Sequence, residues 1–153
     1  MTVESVRNYI EEFGYDLEIV ELDSSTATVE LAAKALGVEP ARIAKTMAIR
    51  LKERDILILS KGDVKIDNRK FKDYFKEKAK FINTEDLMEA TGHPVGGVCP
   101  FGLIKPLDIY LDISLKEFDY VYPAAGEANT CVKIDVEYLS EITSGTWIDV
   151  CRK

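Results

Sequence analysis

The chain has 153 residues, 46% of them hydrophobic, which is enough for one domain with its own core, and it carries a formal charge of −7. That charge opposes the long-range attraction on which sequence-independent binding to DNA or other nucleic acid depends. Three widely spaced cysteines (Cys99, Cys131 and Cys151) form neither a disulfide framework nor a zinc knuckle, and the single histidine, His93, excludes a His-based centre, so neither metal nor cofactor is expected.

The start of the chain lacks the basic and apolar stretches of a secretory signal, and no apolar run is long enough to span a bilayer. A cytoplasmic protein without a membrane partner is the expectation. Val6, Tyr9, Ile10 and Phe13 recur at helical spacing up to Gly14, predicting an amphipathic helix over 5–13. Leu17, Ile19, Val20 and Leu22, set among carboxylates, predict a strand over 16–22. The polar run 23–28 offers several N-caps to a helix over 29–36 that Gly37 ends, and a short helix is expected from Pro40. Apolar runs at 46–51 and 56–60, joined by a charged turn, predict an antiparallel hairpin with Lys45 where its first strand begins.

Residues 67–75 read as a helix with Phe71 and Phe75 on one face, and 80–82 as a brief strand. Thr84 is expected to cap a short helix that ends at Gly92. Farther on come a strand at 108–111, a capping-box pattern from Ser114 to Glu117, and strands at 120–123 and 131–134 around a small-residue loop at 124–129. Asp135 is placed to cap a helix through Ile142, before a closing strand at 147–150. This irregular alternation, with hairpin-length connections, predicts α+β architecture in a single domain, 1–153, with a mixed, mainly antiparallel sheet. One segment departs from the acidic character of the whole: 61–80 holds eight basic residues against four acidic ones, either a solvated helix face or an edge that meets phosphates.

Between Gly92 and Gly102 the chain is rich in glycine and proline. Glycines let a backbone approach a ligand closely and leave Gly96 and Gly97 free to adopt positive φ, while Pro100 holds Cys99 extended. Gly/Pro clusters are also ordinary connecting turns, and that reading stands beside the functional one. The only base available to a nucleophile is His93, with Cys99 six residues away, yet no nucleophile-elbow pattern accompanies them, and packing roles for both are the favoured reading. Walker-type and dinucleotide-binding glycine patterns are absent. What remains is a set of backbone donors plus a lysine.

The run from Ala32 to Val38 with Ile43-Ala44-Lys45-Thr46, then Gly62-Asp63 and Asp67-Asn68, then Thr91 to Gly102, then Ala125-Gly126 and Asn129, resembles the YbaK/prolyl-tRNA synthetase editing-domain family in unbroken order from about Ser24 to Asp135. The resemblance implies a barrel-like core with surrounding helices and a free-standing deacylase. Its substrate would be the ester of a mischarged tRNA, namely tRNA for proline carrying alanine or cysteine, with prolyl-tRNA synthetase as a partner. By that pattern Lys45 meets the 3′-terminal adenosine, Gly96, Gly97 and Pro100 frame the aminoacyl carbonyl, and Thr26 and Thr28 line the amino-acid pocket. Val98, Cys99, Gly126 and Asn129 complete the substrate-binding set, and a ribose hydroxyl or the substrate's own thiol stands in for a protein base. The chain departs from many relatives in having Cys99 where they have Ser before the loop proline, which argues against an obligatory thiol. Two other functions stay open on the residues alone: a non-catalytic module that binds tRNA ends, a synthetase or a small ligand in the same cleft, and a Cys99-dependent hydrolase.

Overall fold

The longest strand pairing forms where aliphatic residues flank a short charged turn. In the computed structural model, which describes residues 2–14 and 17–153, the elements are α1 (Thr2–Glu12), β1 (Ile19–Glu21), α2 (Val29–Leu36), β2 (Ile43–Arg50), β3 (Asp55–Lys61), β4 (Lys65–Ile66), α3 (Asn68–Phe75), α4 (Leu87–Thr91), β5 (Asp108–Asp112), β6 (Tyr120–Pro123), β7 (Thr130–Val132), β8 (Ile134–Asp135), α5 (Val136–Thr143), β9 (Thr146–Ile148) and β10 (Cys151–Arg152). Single 3-10 turns lie at Pro40–Arg42, Thr84–Asp86 and Ile113–Glu117.

β2 and β3 pair antiparallel from Ala44 opposite Lys61 to Arg50 opposite Asp55. They sit at the centre of a six-stranded sheet of order β8-β6-β2-β3-β5-β9. β6 joins β2 in parallel, β5 and β9 extend the other side in parallel, and β8 closes antiparallel on β6. With the antiparallel ribbons β1–β7 and β4–β10, antiparallel pairings outnumber parallel ones by four to three. The result is an α+β fold whose mixed sheet curls into a half-barrel.

Ile56, Leu57, Ile58 and Leu59 of β3 are all fully buried, so this strand is covered on both faces, as its unbroken aliphatic run requires. Leu59 and Leu111 pack with Val6 and Ile10 of α1 and Leu139 and Ile142 of α5. Ile56 and Ile58 turn the other way, against Phe71 of α3 and Val150. Each such side chain contributes about 1.5–3 kcal/mol when taken fully out of water, so the hairpin is the firmest frame on which to mount a site. No helix among the described residues is long and apolar enough to cross a membrane.

Several local expectations change. The predicted strand at 16–22 is seen only as Ile19–Glu21, and Asp16 lies outside the described residues. Thr84 is the first residue of a 3-10 turn and makes no side-chain cap; the α-helix begins only at Leu87. Ser114 does not cap its own turn. Asp112, almost completely buried, accepts from the Ser114 amide (3.0 Å) and from the Val150 amide (2.9 Å), and a carboxylate that satisfies two amides at once outcompetes a hydroxyl. Ser114 Oγ instead accepts from the Lys61 amide at 3.2 Å. Asp135 occupies the N-cap position of α5 without a side-chain bond, and the strand expected at 131–134 is divided into β7 and β8 at Lys133.

Candidate active site

One side of β2 is paired only at its ends. β6 covers Ile43 and Ala44, and residues 80–82 return to cover the far end, where the Arg50 amide donates to the Lys80 carbonyl (2.8 Å) and the Ile82 amide to the Ala48 carbonyl (3.0 Å). Between them opens a cavity of about 270 Å³ whose walls are mainly apolar. Because it lies at the strand's edge, residues from both faces of the sheet line it: Lys45 and Met47 from one, Thr46 and Ala48 from the other. Thr26, Ala27 and Thr28 form one wall and Val95, Gly96 and Val98 another, with Tyr122, Ala124 and Cys131 behind.

The wall at 26–28 is set by helix start chemistry. Thr28 is the N-cap of α2, its hydroxyl accepting from the Leu31 amide at 3.2 Å, so this hydroxyl is partnered inside the protein. Thr26 is tied through its amide to the Ala128 carbonyl (2.5 Å), while its buried hydroxyl lies beside the weakly bonding Cys131 thiol and has no other partner among the described residues. Asn129 holds the same segment from outside: its Nδ2 donates to the Leu22 carbonyl at 3.2 Å and its own carbonyl accepts from the Leu22 amide at 2.9 Å.

The two central loop glycines serve different purposes. Gly96 has φ +83°, a conformation that side chains rarely adopt, and a Cβ there would stand 3.0 Å from Ala27. Gly97 does not need positive φ. It is a close-approach glycine, because a Cβ would fall 2.6 Å from both Gly126 C and the Glu127 nitrogen. Its amide donates to the Pro94 carbonyl (3.0 Å) and its carbonyl accepts from the Gly126 amide (3.1 Å), so Gly97 joins the two loops and has no main-chain donor left for a ligand. Gly96 and Val98 line the cavity, and their amides have no partner among the described residues.

Lys45 lies opposite Ser60 and donates from Nζ to the Val64 carbonyl. Desolvation pushes its pKa down, against the weaker pull of Cys151, Asp63 and Glu30. Lys45 lines the cavity, and its desolvated ammonium is suited to pairing with an anion. In the basic segment Lys61 is buried, ion-paired with Glu117 (2.8 Å) and Asp63 (3.4 Å), whereas Lys65, Arg69, Lys70, Lys72, Lys76, Lys78 and Lys80 are exposed. Lys70 is paired with Asp149.

The structure separates the other expected site residues from this cavity. Cys99 is wholly buried in the core with Phe101 and Leu59, and burial pushes its thiol up to about 12. Pro100 faces a different hollow, shared with Tyr9, Leu103 and Ile104. His93 is equally buried. Its Nε2 is 2.7 Å from the Phe101 carbonyl, which can only accept, so Nε2 carries the proton, and Cys99 Sγ, 3.6 Å from that nitrogen, is directed at the same carbonyl. Desolvation lowers the His93 pKa and keeps the ring neutral. The nitrogen facing the thiol is thus a donor, and the pair has no general-base geometry. Among the described residues no cluster suited to a metal ion occurs.

The mixed α+β sheet thus carries a small edge cavity beside two touching loops, with a desolvated lysine in its lining. Residues 23–142 match the model of the aminoacyl-tRNA editing domain, and the chain belongs to that family. It is 42% identical to the uncharacterized protein YwhH of Bacillus subtilis over 99% of this chain and 98% of that one. It is also 32% identical to proline–tRNA ligase of Bacillus licheniformis over 67% of this chain, a match that spans only 19% of the ligase. Among solved structures, a proposed trans-editing enzyme for prolyl tRNA synthetase superposes with a TM-score of 0.91 at 28% identity, covering 99% of this chain and 98% of that one.

Proposed function

We propose that the chain, as one editing unit over 1–153, hydrolyses in trans the ester of a mischarged tRNA, with alanine or cysteine on tRNA for proline as its substrates. The observation that carries this reading is the convergence of Lys45, the Gly96–Val98 loop and Thr26 on one small cavity, in a chain of the editing family. A volume of about 270 Å³ accepts a small side chain and its ester, and leaves the nucleotide outside. Lys45 supplies the positive charge for the phosphate or ribose of the terminal adenosine. The free amides of Gly96 and Val98 receive the carbonyl oxygen as negative charge develops on it. Gly97, Gly126 and Asn129 hold the loops in register, and Pro100 and Cys99 fix the loop from its buried side.

In the reaction, water adds to the ester carbon, the bond to the ribose oxygen breaks, and the water's proton passes to that oxygen, through a neighbouring ribose hydroxyl. An aminoacyl ester needs no stronger nucleophile than an oriented water. The need for such an enzyme is physical, since a synthetic site rejects an amino acid smaller by one methylene by only about 1–3 kcal/mol. The test is a deacylation panel with tRNA for proline charged with alanine, cysteine or proline. Release of alanine or cysteine well above the buffer rate, with proline spared, is expected. Binding without release of any of the three would replace the enzyme by a tRNA-end binding module.

A further inference from the structure

The gap in the edge of β2 leaves one residue with more polar groups than the protein satisfies. Ala48 and Arg50 direct their main-chain groups toward residues 80–82, away from β3. Alternation along an antiparallel strand therefore turns the even-numbered residues of β2 to that side, and Lys45, Met47 and Ile49 to β3. Thr46 is the even-numbered residue within the gap, facing the cavity between the last β6 partner and Ala48. Its N–H and C=O have no partner among the described residues, and its hydroxyl is buried and unpartnered as well. The hydroxyl, buried without a partner, carries a desolvation cost, and the N–H and C=O face the cavity as an unpaired stretch of strand edge, which is a template for hydrogen bonds from another extended group.

We propose that Thr46 is the docking residue for the aminoacyl group, which pairs with it as one residue of an added strand. This rests on the editing reading given above. An aminoacyl ester carries an α-ammonium donor and a carbonyl acceptor on either side of one Cα, the same order as the N–H and C=O of a strand residue. The Thr46 carbonyl accepts from the α-ammonium, and the Thr46 N–H donates to the ester carbonyl oxygen, as in a hydrogen-bonded pair of an antiparallel ladder. That amide then joins those of Gly96 and Val98 around the oxygen that becomes negative. The site thereby requires a free α-amine, whichever small side chain the substrate bears.

The test compares alanyl-tRNA for proline with its lactyl counterpart, made by nitrous acid deamination, which replaces the ammonium by a hydroxyl of similar size. Each rate is taken relative to its own uncatalysed hydrolysis. A fall of about ten- to a hundredfold in kcat/KM for the lactyl ester is expected, the loss typical of a hydrogen bond to a charged group. Equal relative rates would overturn the docking role while leaving the editing reading intact; failure to hydrolyse the alanyl ester at all would overturn both. A second arm removes the amide itself. Proline is tolerated where a strand's N–H faces an open edge, so T46P is expected to fold, and to lose about tenfold more kcat/KM than T46V, which retains the amide. Equal losses in the two variants, with melting curves that show both folded, would remove the amide from the proposal. Should T46P not fold, the lactyl comparison decides alone.

Discussion

The Gly-rich loop has two sides that differ in kind. Its inner side holds His93 and Cys99, the two side chains with the most reactive reputation in the chain, sealed in the core and directed at the same Phe101 carbonyl. Its outer side offers Val95, Gly96 and Val98, which line an open cavity with Lys45 and Thr46, and the amides of Gly96 and Val98 have no partner among the described residues. The proposed chemistry follows access and unmet hydrogen-bonding capacity more than the identity of a side chain. A thiol pushed up to about 12 is no nucleophile at neutral pH, whereas a peptide N–H needs no activation to meet an oxyanion.

The sharpest way to disturb the outer side without touching the inner one is Gly97→Ala. Its Cβ would meet backbone rather than a flexible side chain, so the two loops must separate. A loss of about 1–3 kcal/mol of stability is expected in urea unfolding, with deacylation reduced about tenfold or more through misplacement of the neighbouring amides. Unchanged activity in a folded Gly97→Ala variant would uncouple the loop contact from the site.

The inner side is best examined through pH. Cys99 has a folded pKa above its unfolded value, so its contribution is complete below the unfolded pKa, is eroded as pH rises past about 9, and is gone at about 12. At pH 10.5 wild type is expected to have lost about 2 kcal/mol more than Cys99→Ser, in which nothing ionises at that position. Parallel pH profiles for the two proteins would contradict a sealed thiol. His93 acts in the opposite direction: its pKa is lowered by burial, so its contribution is present above its unfolded pKa of about 6.5 and falls as acid protonates the unfolded chain. The smallest expected effect is chemical. Cys99 in the native protein should resist iodoacetamide at pH 7.5, as judged by mass spectrometry, and rapid labelling there would mean that the inner side opens.

Much of this was legible in the residues. The hairpin, the helix Val29–Leu36 with its Gly37 cap and the alternation of small loops with strands follow from local patterning, and the Ala44-Lys45-Thr46 run followed by the loop from Gly96 to Pro100 carries the family resemblance. What the sequence hid is non-local. Thr46 stands out only once residues 80–82 are seen to bond to Ala48 and Arg50, leaving a gap at residues 45–47 beyond the end of β6 pairing, whose position no local pattern encodes. Cys99 was misleading for a related reason: loops rich in glycine usually lie at the surface, but Phe101 and Cys99 turn inward to fill the core between α1 and α5. Thr84 and Ser114 were reasonable caps by composition, and lost to the 3-10 turn and to the buried Asp112 carboxylate respectively.

The most direct measurement is single-turnover hydrolysis of alanyl-tRNA for proline by two folded variants in parallel, Lys45→Ala and Cys99→Ala. The expected result is a loss of about a hundredfold for Lys45→Ala, in keeping with removal of a charge-assisted contact in a water-poor site, and less than about fivefold for Cys99→Ala, which alters packing alone. The reverse order, with Cys99→Ala inactive and Lys45→Ala near wild type, would move the chemistry to the sealed side of the loop and contradict the open-edge site.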